Sequence, residues 1–218
     1  MKISKETIAV LKTLAAVNGN LLIKPGNKLS SISPQKNVMA EITVVEDFPK
    51  EYGIYDLSEF LGVLSVFGDP ELEFKSNFAK ISEGASHIKY FSAETSVLVV
   101  PTKALNFPEA DVNFTLPAAT LSMAIRTAGV LRSSDVTFEG DGKKIFLVVA
   151  DLKNPSANSF NIAVGDTDKV FKANLKVENL KMMPGEYEVS LTTKKISRFK
   201  NTGMDAVFYV ALEASSTM

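Results

Sequence analysis

Two stretches of helical periodicity, one near the start of the chain and one just past its middle, constrain this sequence most. The first is "SKETIAVLKTLAAV" (4–17). It opens on Ser4, whose hydroxyl suits a helix N-cap because it can accept a backbone N–H of the first turn. At about 100° per residue, Ile8, Val10, Leu11, Leu14, Ala15 and Val17 share one broad arc, and Lys5, Ala9, Lys12, Thr13 and Ala16 share the other. The second is "PAATLSMAIRTAGVL" (117–131), with Pro117 in its first turn. Leu121, Ala124, Ile125, Ala128 and Leu131 take one face, and Arg126 projects from the opposite one. Each apolar arc has to be buried against another layer.

That layer is legible as strands. After the first helix, "NLLIKPGNKLSSI" (20–32) breaks at Pro25-Gly26, and "VMAEITVVE" (38–46) is rich in β-branched residues. Asn18-Gly19-Asn20 is expected to end the helix, with residues that tolerate left-handed geometry. A shorter helix follows at "DLSEFLGVL" (56–64), capped by Asp56. Then "ELEFK", "FAKIS" and "HIKYFSA" read as a three-stranded meander. After the second long helix the grammar repeats. "DVTFEGDGKKIFLVVADL" is a hairpin turning at Asp141-Gly142, and "SFNIAVG" and "KVFKANL" are strands. "KVENLKMM" (176–183) is expected to be a short helix stopped by Pro184-Gly185, and three more strands close the chain. Between the halves, "ETSVLVVPTKALNFPEADVN" (94–113) carries Pro101 and Pro108 and reads as an extended connector. The expected architecture is α+β and duplicated, with two helices packed on antiparallel sheets in each half. The divisions are 1–100, a connector 101–113, and 114–218. A repeat near half the chain length means paired domains, not a solenoid.

Composition narrows the function more by exclusion than by indication. The chain has 218 residues, no cysteine, one histidine and a formal net charge of -1. Disulfides and thiolate metal sites are ruled out. Val97-Leu98-Val99-Val100 is the longest aliphatic run, far short of the roughly 20 residues that span a bilayer. With no apolar leader visible, a cytoplasmic protein without membrane partners is expected. His87 lies in a strand-like context with no nucleophile motif around it, so no catalytic triad is expected. "EGDGKK" (139–144) lacks the phosphate-loop spacing and sits between strands. Neither a catalytic residue nor a cofactor or metal is expected. Acidic residues such as Glu46, Asp47, Asp69 and Glu71 read as solvated surface.

The informative signal is cationic. Lys5 and Lys12 share one helical face, Arg126 takes the matching place in the second long helix, and Lys181 falls in the second short one. A nearly neutral protein can approach DNA if such cations pool on one surface and the anions lie elsewhere.

Four colinear stretches then resemble one family: "MKISKETIAVLK", "IYDLSEFLGVLS" (54–65), "NLKMMPGEYEVSL" (179–191) and "YVALEASST" (209–217). Together they are similar to the sliding clamps of T-even-like bacteriophages, the processivity factors of DNA polymerases. The resemblance implies two domains of the DNA-clamp fold per subunit and a closed homotrimeric ring around double-stranded DNA, read without sequence preference. It implies a DNA polymerase and an ATP-driven clamp loader as partners, a place in the infected bacterial cell, and the role in late viral transcription that clamps of this family can have. At the family's hole-facing basic positions stand Lys2, Lys5, Lys12, Arg126 and Lys181. The helix "DLSEFLGVL" departs by offering Glu59 and no cation. The resemblance also implies an apolar pocket for a partner's peptide tail near the connector, with Val99, Pro101, Leu105, Phe107 and Leu212 as candidates. The rival reading is a duplicated β-rich structural or ligand-binding protein without a DNA function.

Overall fold

A computed structural model describes residues 1–154 and 156–218. They divide into two compact units, Met1–Ala104 and Leu105–Met218. In the first unit, helix α1 (Lys5–Val17) is followed by β1 (Leu21–Ile23), β2 (Gly26–Ile32), β3 (Val38–Phe48) and β4 (Tyr52–Ile54). Helix α2 (Leu57–Ser65) then leads to the meander β5 (Glu71–Phe74), β6 (Phe78–Glu83) and β7 (Ser86–Phe91). All pairings are antiparallel: β1 with β4, β2 with β3, β5 with β6 and β6 with β7. The predicted caps are present. Ser4 Oγ accepts from Thr7 N, and Asp56 accepts from Ser58 N and Glu59 N.

Helix α1 lies on β2 and β3. Val10, Leu11 and Leu14 are buried there with Leu29, Ala40 and Ile42. Burying each leucine is worth about 1.5–3 kcal/mol, more than the intrinsic propensity of so short a helix supplies. Helix α1 stops at Asn18 as expected, but without the left-handed geometry that its residues tolerate. Asn18 is extended, with φ -155° and ψ 139°, not left-handed. Its buried amide instead donates 2.8 Å bonds to Ile32 O and Val99 O. Two tertiary hydrogen bonds outweigh a local cap here.

The second unit runs β8 (Val112–Leu116), α3 (Ala118–Leu131), β9 (Asp135–Asp141), β10 (Lys144–Val149), β11 (Phe160–Asp166), β12 (Val170–Lys176), β13 (Tyr187–Leu191), β14 (Ile196–Asn201) and β15 (Ala206–Ala211). One sheet has the order β11-β10-β9-β12, and β8, β13, β14 and β15 pair in that order in another. Tyr187, Phe138, Phe199 and Phe208 fill the core. Pro117 stands just before the helix, as its extended N-cap. The hairpin at Asp141 forms as expected: Asp141 Oδ1 accepts from Lys143 N and Lys144 N at 2.8 Å, and Gly142 has φ 85°.

The helix expected at 176–183 is absent. Only a 3-10 turn forms, Val177–Asn179, and the chain then runs irregularly to β13. The reasons are local and tertiary. Lys176 is still in a strand and provides no side-chain cap. Val177 N donates to Ser134 O, not to a helical carbonyl. Pro184 turns Met183 away from helical geometry, and Tyr187 Oη holds Met183 O at 2.5 Å.

Candidate nucleic-acid interface

Lys5 and Lys12 stand exposed on the face of α1 turned away from the sheet. Among the described residues neither has an ion-pair or hydrogen-bond partner. They flank a groove of about 230 Å³ between α1 and α2, lined also by Ile3, Ile8, Leu61 and Phe67. Ile8, assigned by the helical wheel to the core arc, therefore lies between the two lysines and is half-buried. Lys2 is placed differently: its ammonium pairs with Asp69, and both side chains are largely exposed. That hydrogen bond raises the Lys2 pKa and spends part of its charge.

The anions do not all lie elsewhere, contrary to the sequence reading. Asp69 borders the same groove. Glu46 is at the N-terminus of α1, where its carboxylate accepts Ser4 N at 2.5 Å and the buried Thr7 hydroxyl. Partial burial pushes the Glu46 carboxyl up. The bonds from Thr7 and Ser4 more than offset this, and the group stays below its ordinary 4.5. A carboxylate here stabilises the positive end of the helix dipole. Glu59 on α2 accepts a 3.0 Å bond from Tyr90 Oη.

In the second unit, Arg126 is exposed on α3. Its Nε reaches Ser122 O only at 3.4 Å, so the guanidinium is free to meet solvent or phosphate. Lys181 is exposed too, but on the irregular segment and not on a helix. Arg126 borders a groove of about 450 Å³ lined by Leu121, Ile125, Met182 and Met183. Ile125, expected in the core, is 36% exposed at its edge. Each unit thus presents a cation-bearing helix beside an apolar groove.

The pocket candidates separate into two groups. In the first unit Val99 is held by its backbone: its N–H donates to Asn20 Oδ1 at 2.9 Å and its carbonyl accepts from Asn18 Nδ2. Pro101 is half-buried over β2 and β3. In the second unit Leu105 is half-buried. Phe107 packs on Tyr209 with ring centroids 6.0 Å apart, and the Arg198 guanidinium lies 4.7 Å from its ring centre. Leu212 is only 6% exposed and offers a ligand little surface. Sequence reasoning missed Asn18, Asn20 and Glu46, whose partners are remote in the chain, and Arg198, which nothing in "ISRFKN" distinguishes from a surface strand residue.

Comparison with known proteins decides the family. The DNA polymerase processivity factor profile matches residues 4–100, and the gp45 sliding clamp C-terminal profile matches residues 113–214. The sliding clamp of Enterobacteria phage T4 is 30% identical over 225 residues, covering 100% of this chain and 99% of that protein. The chain belongs to the phage sliding-clamp family. The sliding clamp of Vibrio phage KVP40 is 29% identical, covering 98% of this chain and 100% of its own length. Among solved structures, A. fulgidus PCNA bound to the C-terminal region of FEN-1 matches with a TM-score of 0.72 at 15% identity, over 96% of each chain. The PCNA2-PCNA3 complex of Sulfolobus tokodaii gives a TM-score of 0.71 at 17% identity, again over 96% of each. At that identity the structural likeness establishes the fold, and the phage relatives establish the family. Among the described residues no helix is long and apolar enough to cross a membrane, and no cluster of three metal-ligating side chains occurs.

Proposed function

We propose that this chain is one subunit of a homotrimeric ring that encircles duplex DNA and tethers a replicative DNA polymerase. The observation that carries the reading is the pair Lys5 and Lys12, exposed and unpaired on α1, in a chain similar to phage sliding clamps from end to end. In this reading Lys5, Lys12, Arg126 and Lys181 face the DNA, with Lys2 contributing less because Asp69 shares it. A few cations per subunit give a diffuse attraction to phosphate without base readout. Lysine, a flexible point charge, suits contacts that must re-form as the ring moves. Retention comes from topology, not from tight binding, and no bond chemistry is required of the protein.

The edges of the sheets supply the subunit contacts. Among the described residues β7 pairs only with β6, and β11 only with β10. Joining β7 of one subunit to β11 of the next would protect both edges and give a head-to-tail contact that closes into a ring. Ring opening is assigned to an ATP-driven loader. Polymerase and loader dock by peptide segments near the connector, with Val99, Pro101, Leu105 and Phe107 as the candidate residues and the buried Leu212 as a lesser one. Service in late viral transcription would use the same docking surface.

The test compares nicked circular with linear DNA after loading. The clamp stays on the circle through high salt and runs off once the circle is cut. Equal loss from both forms would refute the topological reading and favour a duplicated β-rich protein without a DNA function. Sedimentation should give three times the chain mass.

A further inference from the structure

The strands β2 and β3 carry a second surface, on the face turned away from α1. Their alternation dictates it: Leu29, Ala40 and Ile42 point into the core, so Lys28, Ser30, Met39 and Glu41 point outward. Over this outward face the segment 101–104 closes a cleft of about 310 Å³. Its lining adds Lys24, Pro25, Pro101 and Lys103 to the outward residues of the two strands.

The charge of the cleft runs against that of the chain. Three ammonium groups face one carboxylate. Glu41 is already engaged by Lys28 at 3.3 Å, while Lys24 and Lys103 have no ion-pair or hydrogen-bond partner among the described residues. The whole chain is at -1, so a local excess of positive charge here is not a consequence of composition. The loop side of the cleft is restrained at two places. Pro25 and Pro101 restrict the backbone, and Val99, two residues before Pro101, is fixed at both its N–H and its carbonyl by Asn20 and Asn18. Met39, 6% exposed, closes the floor from below and offers a ligand little surface.

From this arrangement we infer that the cleft over β2 and β3 is an acid-reading subsite for partner proteins, taking an extended peptide segment that carries aspartate or glutamate side chains. The inference rests on the reading of the connector as the partner-docking region, and adds to it the chemistry of the partner. Free ammonium groups at Lys24 and Lys103 select carboxylates. Ser30 and Thr102 offer hydroxyl donors, and the half-buried ring of Pro101 with Pro25 takes the aliphatic stems of the peptide. A nucleic acid fits less well: a duplex is too wide for a cleft of this volume, and no aromatic ring lines it for a single-stranded base to stack on. The established use of extended peptides against sheet and loop surfaces is the general precedent.

The test uses the full chain and three fluorescent probes. One is a nine-residue peptide with alternating glutamate and leucine, one is the same peptide with glutamine for glutamate, and one is a 12-nucleotide single-stranded DNA. Anisotropy is read in low and moderate salt for the wild type and for K24Q/K103Q. Wild type should bind the glutamate peptide about tenfold more tightly than its amide analogue, as expected for two exposed charge contacts. K24Q/K103Q should lose that preference and its salt dependence, with binding of the amide peptide unchanged. Equal affinity for the two peptides, or a preference that survives the double substitution, overturns the inference. So does a DNA probe that binds more tightly than the peptide and loses its affinity in the same variant. Retention on circular DNA is measured in parallel. If K24Q/K103Q stays on the circle like wild type, its peptide defect is a docking defect. If wild type itself fails on the circle, the clamp reading fails independently of the subsite.

Discussion

Glu46→Ala should loosen the start of α1, and the size of the effect can be worked from its contacts. The carboxylate is the acceptor for Ser4 N and for the Thr7 hydroxyl, and Thr7 is 1% exposed. Truncation leaves the Ser4 donor uncapped and takes from Thr7 its charged acceptor. The Ser4 hydroxyl, 3.2 Å away, remains as a weaker neighbour. Hydrogen bonds to charged groups contribute about 1.5–3 kcal/mol each, and part of that is recovered by relaxation of the exposed end. A net loss of about 2 kcal/mol is therefore expected, with a further few tenths from the helix dipole. Amide hydrogen exchange across residues 5–11 reads this directly, as protection lowered roughly 30-fold. The pH dependence gives an independent check. Because the folded pKa of Glu46 lies below its ordinary 4.5, its contribution is complete above that value and is lost as pH falls through the folded pKa. Wild-type protection of α1 should fall on acidification through this window, and Glu46→Gln should flatten the fall. Protection in Glu46→Ala within about twofold of wild type would refute the argument that this carboxylate anchors the helix bearing Lys5 and Lys12.

Three further outcomes follow from the same contacts. Lys12→Glu with Arg126→Glu should leave the circular dichroism and melting of the protein unchanged, since both side chains are exposed, while retention on nicked circles and polymerase processivity fall; normal processivity would remove these residues from the DNA-facing set. Asn18→Ala should cost about 1–3 kcal/mol and raise exchange at residues 98–104, because the amide bonds both Ile32 O and Val99 O; unchanged exchange there would show that the connector is held by other contacts. Burial pushes Tyr52 and Tyr187 up to about 12. The unfolded chain then ionises first, and stability should fall as pH rises from about 10 to 12. Phenolate absorbance appearing in full near pH 10 without unfolding would contradict that burial.

Features encoded within a few residues were legible in the sequence. Ser4 and Asp56 mark helix starts because each cap is a bond to a backbone N–H two or three positions on. The Asp141-Gly142 hairpin is equally local. The repeat of a long helix followed by strands in each half needed only periodicity. Where neighbours in space decide, the reading changed. Residues 176–183 have an apolar spacing compatible with a helix, yet Ser134 and Tyr187 claim the backbone that a helix would use. Asn18 and Asn20 look like a helix stop, and their amides instead fasten Val99, about 80 residues later. Glu46 looks like one more solvated anion until the fold brings it to the first turn of α1.

The cationic site shows the same division. The helical wheel alone selected Lys5, Lys12 and Arg126 as outward residues, because the sheet-facing arc of an amphipathic helix fixes the opposite one. It could not tell that Lys2 is shared with Asp69, that Lys181 is on an irregular segment, or that Ile8 sits between the lysines. Local hydrogen bonds and side-chain periodicity are written in adjacent residues. The pairing of charges and the fate of unsatisfied backbone groups depend on distances that only the packed chain sets.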